Sequence, residues 1–220
     1  MHVYYFTSAL LAVSNLALCR LKVSRFNELN DPFELLGLDR SDDSQRRLLQ
    51  GVKEAVNEKV GLLCFSRDYK NPVLWGHYAD RLSGMCLGFE VPVQDLTEVS
   101  YADEPFQAIP EVVDEHCPLD KAAIDRLVKT KYIDWKYEEE WRLFVDLSRT
   151  QQEGGLHFYP FSSDCRLVSV FLGPRCALPI RSLRRLMSTS FEAVIVSSTR
   201  LAANGFQIEL ANAIQLAADA

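Results

Sequence analysis

The six cysteines, at positions 19, 64, 86, 117, 165 and 176, include no CxxC pair, and no Cys/His cluster has zinc spacing. Neither a dithiol redox centre nor a structural zinc site is expected. No apolar run approaches 18 residues, so no segment reads as a membrane-crossing helix. The opening Met-His-Val-Tyr-Tyr-Phe lacks a charged n-region and a cleavage site, and the thiols suit a reducing compartment, so a cytoplasmic setting is expected. GxGxxG, GxxxxGK(S/T), HExxH and GxSxG are all missing. No serine or cysteine has a convincing base partner, which argues against nucleophilic hydrolysis. The acids lack metal-site spacing, so no metal is expected.

What is present is ordinary in bulk. The 220 residues are 48% hydrophobic and 25% charged, enough for a real core in a single domain over 1–220. The net charge of −6 argues against holding nucleic acid by bulk charge, leaving only a local basic groove. Short strands read at 3–6, 19–24, 61–66, 84–91, 96–101, 141–145, 156–161, 167–172, 193–197 and 206–210. Helices read at 8–18, with Thr7 or Ser8 as cap, and at 43–59, 72–80, 119–132 and 180–188, with a loop over 103–118. Asn71 caps the 72–80 helix with proline in its first turn. The helices fall mainly in the first two-thirds, and there is no regular βαβ alternation, so the fold class is α+β.

The most informative stretch is 135–145, where Glu138, Glu139 and Glu140 lie between aromatics and run into an apolar strand. Strand alternation places Glu138, Glu140 and Arg142 on one face and Glu139 on the other. Two carboxylates on one face repel, a cost kept for a charged partner or for chemistry, or else relieved at a solvated edge by Arg142. A second cluster is Cys64, Phe65 and Ser66 followed by Trp75, His77 and Tyr78, which is either core packing or a stacking wall for a flat ring. A third is Asn30, Asp31 and Glu34, either a capped turn at Pro32 or a polar wall over a cleft. Tyr4, Tyr5 and Thr7 close the first strand. Arg20, Lys22 and Arg25 either meet a ligand phosphate or form a solvated strand face.

In order, Tyr4-Tyr5-Phe6-Thr7-Ser8, Asn30-Asp31-Pro32-Phe33-Glu34, Cys64-Phe65-Ser66, Trp75-Gly76-His77-Tyr78-Ala79, Gly84-Met85-Cys86-Leu87-Gly88-Phe89-Glu90 and the stretch 135–142 resemble a bacterial family of unknown function. Its signature runs FNDPF(D/E), CFS, WxHYA, GxCxGF(D/E), WxYExEWR. That layout in turn is similar to an ADP-ribosyltransferase, which implies a split β-sandwich with NAD in its cleft. By this resemblance Tyr5 stands where such enzymes carry histidine or arginine, with Thr7 as hydroxyl partner. Ser66 with Trp75 or Tyr78 matches the second motif, and Glu138 to Glu140 match ExE.

The resemblance implies NAD as substrate, Glu140 stabilising the oxocarbenium-like centre near the ribose hydroxyl, Glu138 positioning the acceptor, and Trp75 or Tyr78 stacked on nicotinamide. Asn30 and Asp31 would border the cofactor, and Arg142 would hold the carboxylates or contact phosphate. The acceptor would be a protein or nucleic acid, in a toxin or phage-defence setting with an antitoxin or other regulatory protein. Two other classes share these residues: a nuclease or glycosidase using the same carboxylates, and a non-catalytic nucleotide- or partner-binding module. On sequence alone, Glu140→Gln is expected to spare stability in an enzyme and lower it in a structural role.

Overall fold

The computed structural model describes residues 1–38, 43–106, 121–191 and 193–215. The chain opens with β1 (His2–Thr7), α1 (Ala9–Leu18) and β2 (Arg20–Val23). After a 3-10 turn at Phe26–Glu28 come α2 (Asp43–Lys59), β3 (Val60–Ser66), α3 (Pro72–Tyr78) and β4 (Met85–Glu90). The middle holds β5 (Leu96–Glu98), β6 (Ser100–Ala102), α4 (Lys121–Leu127), β7 (Thr130–Tyr132), a 3-10 turn at Ile133–Glu138, and β8 (Glu140–Asp146). The last part contributes β9 (Gln151–Glu153), β10 (Leu156–Pro160), β11 (Arg166–Leu172), α5 (Ile180–Met187), β12 (Ile195–Leu201) and β13 (Ile208–Gln215). The class is mixed α+β, as the element order predicts.

Eight strands form one mixed sheet in the order β13-β12-β11-β4-β1-β3-β8-β5, beside a three-stranded sheet β2-β10-β9 and a parallel pair β6-β7. The large sheet is not uniformly joined. β1 pairs β4 along its whole length, His2 opposite Glu90 through Thr7 opposite Met85. It meets β3 only where Tyr4 faces Ser66. β3 then pairs β8 fully, from Val60 opposite Asp146 to Ser66 opposite Glu140. The sheet therefore divides between β1 and β3, and a cavity opens along that division.

Side-chain alternation sorts three apolar cores. Val3, Leu63, Phe65, Leu87 and Phe89 pack on one face with Ala12 and Leu16 of α1 and Leu183 and Met187 of α5. Leu62 joins Phe26, Leu49, Val52 and Leu127, beneath α2 and α4. Trp75 of α3 and Ala79 just after it pack with Cys86, Phe171 and Ile208, and Tyr4 and Phe6 lean on this third core. Ser8 caps α1 by accepting from the Leu11 N–H, and Asn71 caps α3 by accepting from the Val73 N–H.

Four expectations change. The helix expected over 119–132 is α4 alone, and 130–132 is a strand, because Thr130 and Tyr132 pair with Ser100 and Ala102 of β6; tertiary pairing overrides local propensity here. The strand expected over 96–101 divides at Val99, whose N–H donates to the Glu140 carbonyl, so β5 and β6 belong to different sheets. The final strand starts at Ile208 and reaches Gln215, beyond the expected 206–210, and β9 was not anticipated. Most of the expected loop 103–118, and residues 119–120, lie outside the described residues.

Gly84 fixes how α3 meets β1. A Cβ there would lie 2.2 Å from the Thr7 carbonyl oxygen and 2.8 Å from the Ala79 backbone, and its own N–H donates to the Ala79 carbonyl at 2.7 Å. Both obstacles are backbone and cannot rotate away. Gly84→Ala should destabilise the protein by about 1–3 kcal/mol. Gly76, inside α3 with open space around it, should gain roughly 0.5–1 kcal/mol as alanine. Urea denaturation of both variants checks the pair.

Candidate functional site

The cavity between β1 and β3 measures about 220 Å³ and is lined by Tyr4, Tyr5 and Phe6 on one side and Leu62 to Ser66 on the other. Tyr78, Lys131, Glu138 and Glu140 also line it, as do Lys22, Ser24, Glu28 and Asn30. Six of the residues expected at the NAD site thus line one space, Tyr5, Asn30, Ser66, Tyr78, Glu138 and Glu140, together with Tyr4, Lys22, Cys64 and Phe65 from the same sequence clusters.

The glutamates reach it by a local backbone device. Glu138 ends the 3-10 turn, Glu139 is left-handed at φ 45° and ψ 53°, and Glu140 starts β8. That single left-handed residue turns the chain so that Glu138 and Glu140 point inward, both buried, while Glu139 is exposed. The alternation expected from a continuous strand is achieved by a turn. Three successive carbonyls here are each held from the 66–71 segment. The Asn71 amide donates to the Tyr137 carbonyl (2.9 Å), the Ser66 hydroxyl to the Glu138 carbonyl (2.7 Å) and the Arg67 N–H to the Glu139 carbonyl (3.1 Å). Ser66 therefore fixes the glutamate segment. The Glu140 N–H donates to the Tyr101 hydroxyl at 2.9 Å.

Arg142 is fully buried and spends all five N–H groups. Nε and Nη2 reach Glu140 at 2.8 and 3.3 Å, Nη1 and Nη2 reach Glu34 at 3.1 and 2.5 Å, and Nη1 also reaches the Val128 carbonyl at 2.8 Å. No donor remains for a ligand phosphate, so of its two expected roles the geometry provides the holding of carboxylates. Lys131, likewise buried, donates to Glu138 at 2.5 Å and Glu140 at 2.9 Å. The other Glu138 oxygen accepts from the Tyr78 hydroxyl, which is also bonded by Asn30.

These contacts set the titration. Burial pushes the Glu140 carboxyl up, but the charges of Arg142 and Lys131 outweigh it and hold the group down at about 2. Glu34 goes the other way, since burial exceeds the pull of Arg142 and raises it. Burial lowers Lys131, and the two glutamates more than reverse that. Burial followed by the Glu138 charge raises Tyr78. Burial raises Tyr5 to about 12; Tyr5 lines the cavity, and its hydroxyl has no hydrogen-bond partner among the described residues. Cys64 carries a raised thiol, through burial first and then the Glu140 charge, and bonds Glu140 as a neutral donor.

Other expected site residues lie elsewhere. Trp75 is fully buried in the third core, its indole N–H donating to the Tyr69 carbonyl at 2.6 Å and its ring edge-on to Phe6. It sits with Phe6, on the face of β1 opposite Tyr5, and does not line the cavity; Tyr78 is the α3 aromatic that does. Thr7 is buried and outside the lining. Asp31 accepts from the Phe33 N–H at 2.9 Å and the Tyr132 N–H at 3.4 Å, tying its turn to the strand that carries Lys131. Lys131 itself was missed, because 130–132 reads as the end of a helix. The alternation of Thr130, Lys131 and Tyr132 ahead of the acidic run was the available signal.

Among the described residues no group of three or more His, Cys, Asp or Glu side chains is placed to hold a metal, and no helix is long and apolar enough to cross a membrane. No family model, curated protein or solved structure matches the chain.

The network makes Glu140 structural as well as polar, so its removal should cost stability whatever the activity. Arg142→Met should cost about 3–5 kcal/mol, since it leaves Glu34 and Glu140 buried and unpaired. Lowering pH tests Glu140 directly. Its folded value lies below the usual 4.5, so its contribution is complete above 4.5 and is lost as pH falls toward about 2. That loss should reach about 3 kcal/mol. Glu34, raised instead, weakens folding as pH climbs past 4.5 and so acts in a different window. Urea melts across the acid range should show a steep limb in the wild type and a flatter one in Glu140→Gln.

Proposed function

We propose that the protein is an ADP-ribosyltransferase-type enzyme that cleaves the nicotinamide–ribose bond of NAD. One observation carries this reading. Three buried carboxylates, Glu34, Glu138 and Glu140, are paired with two buried cations, Lys131 and Arg142, an excess of one carboxylate in a network whose Glu138, Glu140 and Lys131 line a largely apolar cavity. Low-dielectric surroundings strengthen such an excess. It favours a ligand centre that is positive or becomes so.

Nicotinamide riboside chemistry fits that field. The bond from ribose C1′ to the ring nitrogen breaks, the electron pair leaves with neutral nicotinamide, and the sugar passes through an oxocarbenium-like state. An acceptor nucleophile then bonds C1′ and loses its proton. The division of the sheet between β1 and β3, with the cavity inside it, supports a split-sandwich layout. At about 220 Å³ the cavity is below the ~300–1,000 Å³ of drug-sized ligand sites, so it suits the ring-and-sugar end of NAD. Glu140, held at about 2 and saturated with donors, stays ionised as a fixed negative charge. Glu138 has the spare acceptor capacity, since one oxygen takes only the Tyr78 hydroxyl; it would bind a ribose hydroxyl. Tyr5 would offer its free phenol, and Tyr78 its ring edge.

The acceptor is a protein or nucleic acid segment, or water in an NAD hydrolase. The test combines adenylate-labelled NAD, cell extract and nucleic acid with chromatography of released nicotinamide. The wild type should release nicotinamide, Glu138→Gln should be slower by about a hundredfold or more, and Glu139→Gln should stay close to wild type. The proposal fails if folded wild type releases none and labels nothing, or if Glu138→Gln keeps full activity.

A further inference from the structure

The three cations of the β2 region have different fates. Arg20 pairs with Glu153 and lies 3.8 Å over the Phe158 ring. Arg25 is half-buried against His157, at 3.0 Å. Lys22 alone lines the cavity. Its ammonium donates to Glu28 at 2.8 Å, and the two side chains remain 40% and 36% exposed. Lys22 has three donors and spends one in the protein; the cavity's other lining cation, Lys131, is spent on two glutamates.

The charged residues of the lining therefore differ in what they offer a ligand. Glu138 and Glu140 belong to the net negative cluster. The Lys22 ammonium is partly exposed and is held by a carboxylate that also accepts from the Arg25 N–H at 3.4 Å. An anionic ligand group entering the cavity can meet no available cation but Lys22 among the described lining residues, and it would be repelled by Glu138 and Glu140.

We propose that Lys22 forms a phosphate subsite in the cavity lining, occupied when a ligand phosphate displaces Glu28, and that it orients the ligand with its nicotinamide–ribose end toward Glu138 and Glu140. This inference rests on the NAD reading of the same cavity. Glu28 acts as a resident competitor that holds Lys22 in place when the site is empty. A phosphate, with more acceptor oxygens and more charge than one carboxylate, replaces it.

The experiment is calorimetric titration of nicotinamide riboside and nicotinamide mononucleotide into wild type, Lys22→Met and Glu28→Gln. An exposed ion pair contributes little to folding, so both variants should fold, as a thermal melt verifies. Wild type should bind the mononucleotide about ten- to a hundredfold more tightly than the riboside. Lys22→Met should erase that preference while leaving riboside affinity in place. Glu28→Gln should enlarge it, and added salt should shrink it. An unchanged preference in Lys22→Met overturns the subsite, as does a wild type that binds riboside with no phosphate preference; either result leaves the NAD reading standing. A folded wild type that binds neither ligand overturns both.

Discussion

Arg142 has no water to donate to, and every one of its five N–H groups must therefore find a protein acceptor. It finds them on Glu140 beside it, on Glu34 from the turn after β2, and on the carbonyl that follows α4. A guanidinium buried this completely is tolerated only when its fork is filled, because an unpaired buried charge costs several kcal/mol. Two otherwise separate segments, the Glu34 turn and the end of α4, are thereby fixed relative to β8. The ion network is an organiser of geometry more than a source of stability, since desolvation offsets much of what the pairing returns.

That constraint reaches the cavity through Lys131. Glu140, clamped by Arg142, presents one oxygen to Lys131, and Lys131 draws Glu138 in beside it. Two carboxylates that would repel are held close by a shared ammonium. The left-handed Glu139 and the donors from Ser66, Arg67 and Asn71 secure the backbone between them. Because β1 pairs with β3 only where Tyr4 faces Ser66, the sheet leaves a cavity beside this cluster. The site thus combines a fixed charged wall, a phenol at Tyr5 without a hydrogen-bond partner among the described residues, and one partly exposed cation, Lys22.

Much of this was legible in local sequence. The caps at Ser8 and Asn71, the strands 61–66 and 84–91, and the amphipathic helix 43–59 follow from periodicity and turn chemistry acting over a few residues. The inward direction of Glu138 and Glu140 and the outward one of Glu139 were also foreseen, although a left-handed turn delivers them. Between Trp75 and Tyr78 the sequence left the choice open, because three-residue spacing on a short helix does not say which ring turns into the core and which toward the cavity. Lys131 was invisible because Thr130 to Tyr132 becomes a strand only through pairing with Ser100 to Ala102, far off in sequence.

The sequence by itself determined the α+β class, the position of the acidic run before an apolar strand, and the residue types available for chemistry, because these depend on short-range patterns of hydrophobicity, capping and charge. Tertiary structure decided which charges meet. Burial of Arg142 and Lys131 against three glutamates, the low carboxyl of Glu140, the separation of Trp75 from Tyr5 and the opening between β1 and β3 all arise from contacts between distant segments. Such contacts depend on desolvation and packing in three dimensions, and a linear chain does not display them.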